Sequence, residues 1–183
     1  MRIVEITVAL LWVVFWVTWI VAAVHAKRDV AGSRRFLLAR LLVVVAVVAL
    51  VRFNILETRA VFRTPPALQY AGIALLVCGL ALALWARAYL GTNWGTPMSV
   101  KADPELVTTG PYSRVRHPIY TGIILAMLGT ACAAGIPWLV GAVALAGFFV
   151  YSATVEERAM AQLFPATYPE YRRTTRMLVP FVF

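Results

Sequence analysis

The residues able to do chemistry are gathered in two short stretches. One is Gly110-Pro111-Tyr112-Ser113-Arg114-Val115-Arg116-His117-Pro118-Ile119-Tyr120-Thr121-Gly122, and the other is the pair Glu156-Glu157. Together they offer an imidazole, two carboxylates, the phenols of Tyr112 and Tyr120, and the guanidiniums of Arg114 and Arg116. Carboxylates suit ribose hydroxyls or an ammonium group, and guanidinium suits a carboxylate in fork geometry. Histidine and tyrosine suit the polar handles of a nucleoside. The residues point to a polar, zwitterionic or nucleotide-like ligand, and go no further on their own. No GxGxxG follows a strand, so a Rossmann cofactor domain is excluded.

Each of these residues also has a plain structural reading. His117 can hydrogen-bond locally at a helix start, and Pro118 fits the first helical turn, where its missing N–H costs nothing. The arginines and tyrosines can be interface anchors. Glu156 and Glu157 fit less easily, because the helix dipole disfavours acids at a helix C-terminus. Either their helix continues past them or they hold a cationic group.

The elements that must position these groups are apolar. Of the 183 residues, 62% are hydrophobic and 14% are charged, against about half and a quarter in a soluble domain. The excess lies in long runs, which points to lipid. A net charge of +9 is compatible with nucleic acid or anionic headgroups. No nucleic-acid motif is present, and the charges separate apolar runs, so no nucleic-acid partner is expected. Cys78 and Cys132 sit inside apolar runs without a CxxC pair and read as packing residues, with no metal site.

The runs predict an all-α polytopic membrane protein of about five transmembrane helices. They cover Ile3 to Val24, Phe36 to Val51, Ala67 to Leu90, Ile119 to Ala134 and Trp138 to Val155. The first is too long for a typical signal-peptide core, although Val24 and Ala26 fit a cleavage pattern. The Pro65-Pro66 pair starts the third helix, and the Gly- and Pro-rich segment 91–116 reads as a loop. Gly72, Gly79, Gly129, Gly141 and Gly147 permit close helix contacts.

Gly135-Ile136-Pro137 makes the last two spans a tight hairpin. Equal counting back from that turn sets position 117 opposite position 154. At about 1.5 Å rise per residue, His117 and Glu156 then lie at similar depth. Lys and Arg in short loops orient the chain. Lys27, Arg28, Arg34, Arg35, Lys101, Arg114, Arg116 and the tail arginines share one side, against Arg2, Arg52, Arg59 and Arg63. The N-terminus is expected outside and the C-terminus in the cytoplasm, in a prokaryotic inner membrane.

At Leu106-Val107-Thr108-Thr109-Gly110-Pro111-Tyr112, Arg116-His117-Pro118-Ile119-Tyr120-Thr121-Gly122, Glu156-Glu157, Phe164 with Tyr168-Pro169-Glu170-Tyr171-Arg172-Arg173, and Leu178-Val179-Pro180, the chain resembles the isoprenylcysteine carboxyl methyltransferase family. It is more loosely similar to the membrane phospholipid N-methyltransferases. The resemblance implies one membrane domain over 1–183, with 1–90 a three-helix scaffold and 91–183 the cofactor-binding loop, hairpin and tail. It implies S-adenosyl-L-methionine as cofactor, in a cytosol-facing pocket contacted by Leu106, Val107, Tyr112, His117, Pro118, Tyr120 and Glu156. It also implies a lipophilic or lipidated acceptor arriving sideways from the bilayer, with carboxyl O-methylation foremost. His117, Glu157 and Arg116 are the expected catalytic residues, His117 or Glu157 serving as base where the acceptor must lose a proton.

The chain departs from that family twice. Pro104 stands where the prenylcysteine enzymes usually have histidine, and Ser152 where they have the arginine assigned to the substrate carboxylate. Arg158 and Arg87 are the candidate replacements. Two other readings stay open. The sterol reductases share a similar Arg-His-Pro-x-Tyr segment and use a reduced nicotinamide cofactor, but typically have Asn at the position of Ile119 and an acid at that of Ile123. A non-catalytic membrane partner is the other.

Overall fold

The computed structural model describes residues 2–23, 27, 29–31 and 64–180. The second expected span, from Phe36 to Val51, lies outside them. The described elements are α1 (Arg2–Ala23), β1 (Asp29–Ala31), α2 (Pro66–Leu90), β2 (Val100–Lys101), α3 (Pro118–Ala134), α4 (Ile136–Leu163) and α5 (Tyr168–Thr174). Among them, Ile3–Ala22, Pro66–Asn93 and Trp138–Leu163 are long and apolar enough to cross a bilayer, while α3 is apolar but shorter.

Prolines open the helices where a missing N–H is harmless: Pro66 begins α2 and Pro118 begins α3. Gly135, at φ 110°, separates α3 from α4. That backbone conformation strains any residue with a Cβ, so the break is tight and local. α4 continues to Leu163, well past the expected end at Val155. Glu156 and Glu157 are therefore interior helical residues, and the dipole argument against acids does not apply to them.

The closest packing is between α2 and α3, and glycine makes it possible. A Cβ at Gly79 would stand 2.4 Å from the backbone nitrogen of Ala126, and one at Gly129 would stand 2.4 Å from that of Leu76. Gly72 and Gly122 meet partner backbone at 2.6 Å in the same sense. Gly72 and Gly79 are seven apart, as are Gly122 and Gly129, so each pair lies on one helix face. Small residues let backbones approach where lipid gives apolar side chains no reason to associate. Gly147 has open space around it and takes no part.

α1 attaches through larger groups. Phe15 and Trp19 are buried, and the Trp12 indole N–H donates to Thr130 Oγ1 of α3 at 3.0 Å. Its Ile6, Val13 and Ile20 remain exposed and supply an apolar outer surface.

The mostly helical fold also holds one short ribbon. β1 pairs antiparallel with β2, Asp29 opposite Lys101 and Ala31 opposite Val100. The cause is Lys27, which fastens the first connector to the 91–105 loop. Its N–H donates to the Thr92 carbonyl at 2.8 Å, and its ammonium reaches Asn93 Oδ1, the Asp103 carbonyl and Glu105 Oε1 within 3.0 Å. Two extended segments held side by side satisfy each other's backbone groups. The two loops expected on one membrane side are thus in contact.

Candidate active site

The hairpin sets the start of α3 beside the later turns of α4. Glu156 Oε1 accepts hydrogen bonds from the Tyr120 hydroxyl at 2.5 Å and the Met98 N–H at 2.7 Å. His117 Nδ1 lies 3.4 Å from Glu156 Oε2, and His117 Nε2 lies 3.6 Å from Glu157 Oε1. Nε2 is buried and has no hydrogen-bond partner. The imidazole lies parallel to the Tyr120 ring, with centroids 5.4 Å apart, and Tyr120 stacks on Phe149 at 4.3 Å.

Glu157 is held differently. Arg116 Nε donates to its Oε1 at 2.7 Å, and both side chains are buried. Arg172 Nε approaches the other oxygen at 3.6 Å. Arg116 Nη1 also donates to the Thr175 carbonyl at 2.7 Å. Buried charges persist when paired and hydrogen-bonded in this way. Glu157 is neutralised by Arg116, whereas Glu156 accepts from the Tyr120 hydroxyl and the Met98 N–H with the His117 imidazole beside its second oxygen, and its side chain is the more open of the two. Glu156 is therefore the carboxylate better placed to meet a cation or hydroxyl groups.

The C-terminal tail straps this arrangement down. The Arg116 N–H donates to the Arg176 carbonyl, the His117 N–H to the Met177 carbonyl, and the Arg176 N–H back to the Arg114 carbonyl. This is a parallel bridge centred on Val115 and Arg176. The Thr121 hydroxyl donates to the Leu178 carbonyl at 2.7 Å, and the Tyr171 hydroxyl to that of Tyr112 at 2.7 Å.

Titration follows from these neighbours. Burial works against the charged His117 imidazolium, but the adjacent carboxylates of Glu156 and Glu157 outweigh it and raise its pKa. Burial raises the Tyr112 pKa, helped by Tyr171 and Glu156 and opposed by Arg87. Tyr168 and Tyr171 are likewise raised, first by burial. These phenols stay neutral donors.

Of the residues expected from sequence, His117, Tyr120, Glu156, Glu157 and Arg116 come together. Pro118 is buried at the first turn of α3. Tyr112 is buried in the short turn before it. Leu106 and Val107 lie in an irregular segment and are half-buried, Val107 packing on the core. Ser152 is fully buried and donates to its own helix at the Phe148 carbonyl, so it presents no charge to a substrate.

Met98, Phe149 and the backbone clamp made by residues 175–177 escaped the sequence reading, while the resemblance marks the tail at Leu178-Val179-Pro180. Phe149 had a signal, since it lies seven residues before Glu156 and hence on the same helix face. Met98 acts through its backbone, with φ at 63°, and no side-chain pattern marks it.

The elements first define a class: a helical membrane protein with a carboxylate-bearing polar site at the junction of a hairpin, a loop and a tail. The chain belongs to the phospholipid methyltransferase family, whose model matches residues 68–167, from the first turn of α2 to the start of α5. It is 32% identical over 114 residues to the cobalt-zinc-cadmium resistance protein CzcN of Cupriavidus metallidurans, covering 59% of this chain and 49% of that protein. It is 29% identical over 118 residues to a protein-S-isoprenylcysteine O-methyltransferase of Schizosaccharomyces pombe, covering 62% and 50%. A third relative is methanethiol S-methyltransferase 2 of Bradyrhizobium diazoefficiens, 41% identical over 73 residues, 39% of this chain and 27% of that protein. The chain spans about half the length of the first two of these relatives.

Proposed function

We propose that this chain transfers a methyl group from S-adenosyl-L-methionine to a lipophilic or membrane-associated acceptor at the cytosolic face of a prokaryotic inner membrane, with its N-terminus outside. Carboxyl O-methylation comes first among the acceptors. The observation that carries the reading is the state of Glu156. It is a carboxylate hydrogen-bonded to Tyr120 and the Met98 N–H, while its neighbour Glu157 is already neutralised by Arg116. The His117 imidazole beside Glu156 adds a polar group suited to the same ligand.

These residues fit a cationic nucleoside. Glu156 would hold its ammonium or ribose hydroxyls, His117 and Tyr120 would orient it, and Leu106, Val107, Tyr112 and Pro118 would complete the pocket. The bound cofactor supplies a methyl group already activated by its sulfonium, so the protein's task is positioning and exclusion of water. Arg116 and Glu157 act in this reading as positioning residues that lock the tail against the imidazole.

A dry pocket would favour an acceptor that reacts as an anion and surrenders no proton, as a carboxylate would. The names of two relatives include an O- and an S-methyltransferase. Both kinds of nucleophile can react as anions, and loss of opposite charges in a dry pocket favours either.

The test is calorimetric titration of detergent-purified protein with S-adenosylhomocysteine and, separately, with reduced nicotinamide dinucleotide phosphate. The expected result is saturable binding of the first, weakened at least tenfold in Glu156→Gln. Full affinity in that variant would remove Glu156 from the pocket, and binding of the nicotinamide alone would replace the reading with a reductase.

A further inference from the structure

We propose that the crevice between α1 and α2 binds a single-chain amphiphile with an oxyanionic head, carboxylate or phosphate, through Arg87. This goes beyond the methyl-transfer reading and does not depend on it. The crevice has a volume of about 390 Å³ and is lined by Thr18 and Ala22 of α1, Leu84, Arg87 and Ala88 of α2, and Thr92 beyond it. That volume falls within the roughly 300–1,000 Å³ of small-molecule sites.

Arg87 is the unusual member. It is 6% exposed, on a helix apolar enough to cross a bilayer. Nη1 donates to the Gly91 carbonyl and Nη2 to the Ala22 carbonyl, each at 2.8 Å. The guanidinium carbon lies 4.4 Å from the Trp94 ring centroid and 5.9 Å from that of Trp19. Nε is buried without a hydrogen-bond partner. Carbonyls and ring faces offer partial negative charge only, and among the described residues no carboxylate pairs with Arg87. A buried charge of this kind calls for an opposite charge, and an oxyanion in the crevice that Arg87 lines would supply it.

The walls decide the rest of the ligand. Ala22, Leu84 and Ala88 are apolar, and α1 and α2 carry exposed apolar side chains such as Ile20 and Val77. A small hydrated ion has nothing to gain from such walls, whereas an alkyl chain buries apolar surface along them.

The experiment follows the thermal melt of the full chain in neutral detergent with oleate, oleyl alcohol or acetate added. Oleate is expected to raise the melting temperature by several degrees, and neither the alcohol nor acetate to do so. Arg87→Gln and Ala88→Trp should each abolish the difference, the first by removing the charge and the second by filling the crevice. Ala88 is exposed and its replacement leaves Arg87 in place, so Ala88→Trp decides the matter if Arg87→Gln does not fold. Equal shifts with oleate and the alcohol, a shift reproduced by acetate, or a shift surviving Ala88→Trp would overturn the proposal. S-adenosylhomocysteine binding should persist in Ala88→Trp. A failure of the methyltransferase reading would instead leave the oleate response intact with no nucleoside binding.

Discussion

α2 meets its two described helical neighbours in opposite ways. Against α3 the backbones nearly touch, with Gly72 and Gly79 set against Gly129 and Gly122. Against α1 the spacing is kept by Phe15, Trp19 and Trp94, and a crevice with one arginine remains. The tight face has no room to adjust, so it fixes the start of α3 and with it His117 and Tyr120. The looser face has space for a guest. In a bilayer, rigidity comes from small residues and access from large ones, because apolar area alone does not draw helices together.

The strongest way to break this contrast is Gly79→Val. The new side chain meets backbone rather than a flexible tip, and overpacking of this kind costs about 3 kcal/mol or more. Loss of monodisperse protein, or a large fall in melting temperature, is the expected outcome. A stable variant would show that the helices can separate.

Arg116→Gln comes next. It leaves Glu157 buried without its partner and unties Thr175, a loss of about 3 kcal/mol by analogy with other broken buried pairs. Limited proteolysis should release the tail beyond Thr174 in this variant well before α4 is cut. Equal protection would mean that the strap does not depend on the ion pair.

The pH dependence is smaller and has a definite sign. His117 has a folded pKa above its ordinary value. Its contribution is therefore complete below about pH 6.5 and lost as the pH rises through the folded value. Melting temperature should fall across that window in the native chain, and the slope should flatten in His117→Gln. A parallel slope in both would assign the dependence to another group.

Gly147→Ala is the control at the bottom of the scale. With open space at that position, removing a helical glycine should be neutral or should stabilise by about 0.5–1 kcal/mol. A clear destabilisation would mean that Gly147 also lies on a packed face, and a thermal melt decides it.

The apolar runs, the prolines at 66 and 118 and the break at Gly135 made α1, α2, α3 and the start of α4 legible, because hydropathy and backbone chemistry are local. Spacing along the hairpin was enough to set His117 near Glu156. The ribbon between β1 and β2 was not legible, since its strands are far apart in sequence and too short to show an alternating pattern.

From sequence alone follow the membrane character, the hairpin and the residue types of the site, each of which rests on neighbours within a few turns. Only the tertiary structure decided that Glu157 is neutralised by Arg116 while Glu156 meets Tyr120, Met98 and the imidazole, that the tail at 175–178 clamps 114–117, and that of Arg87 and Arg158 it is Arg87 that is buried. Two adjacent glutamates look alike in a string of letters. They differ because they point about 100° apart around a helix, one toward Tyr120 and Met98 and the other toward an arginine forty-one positions away.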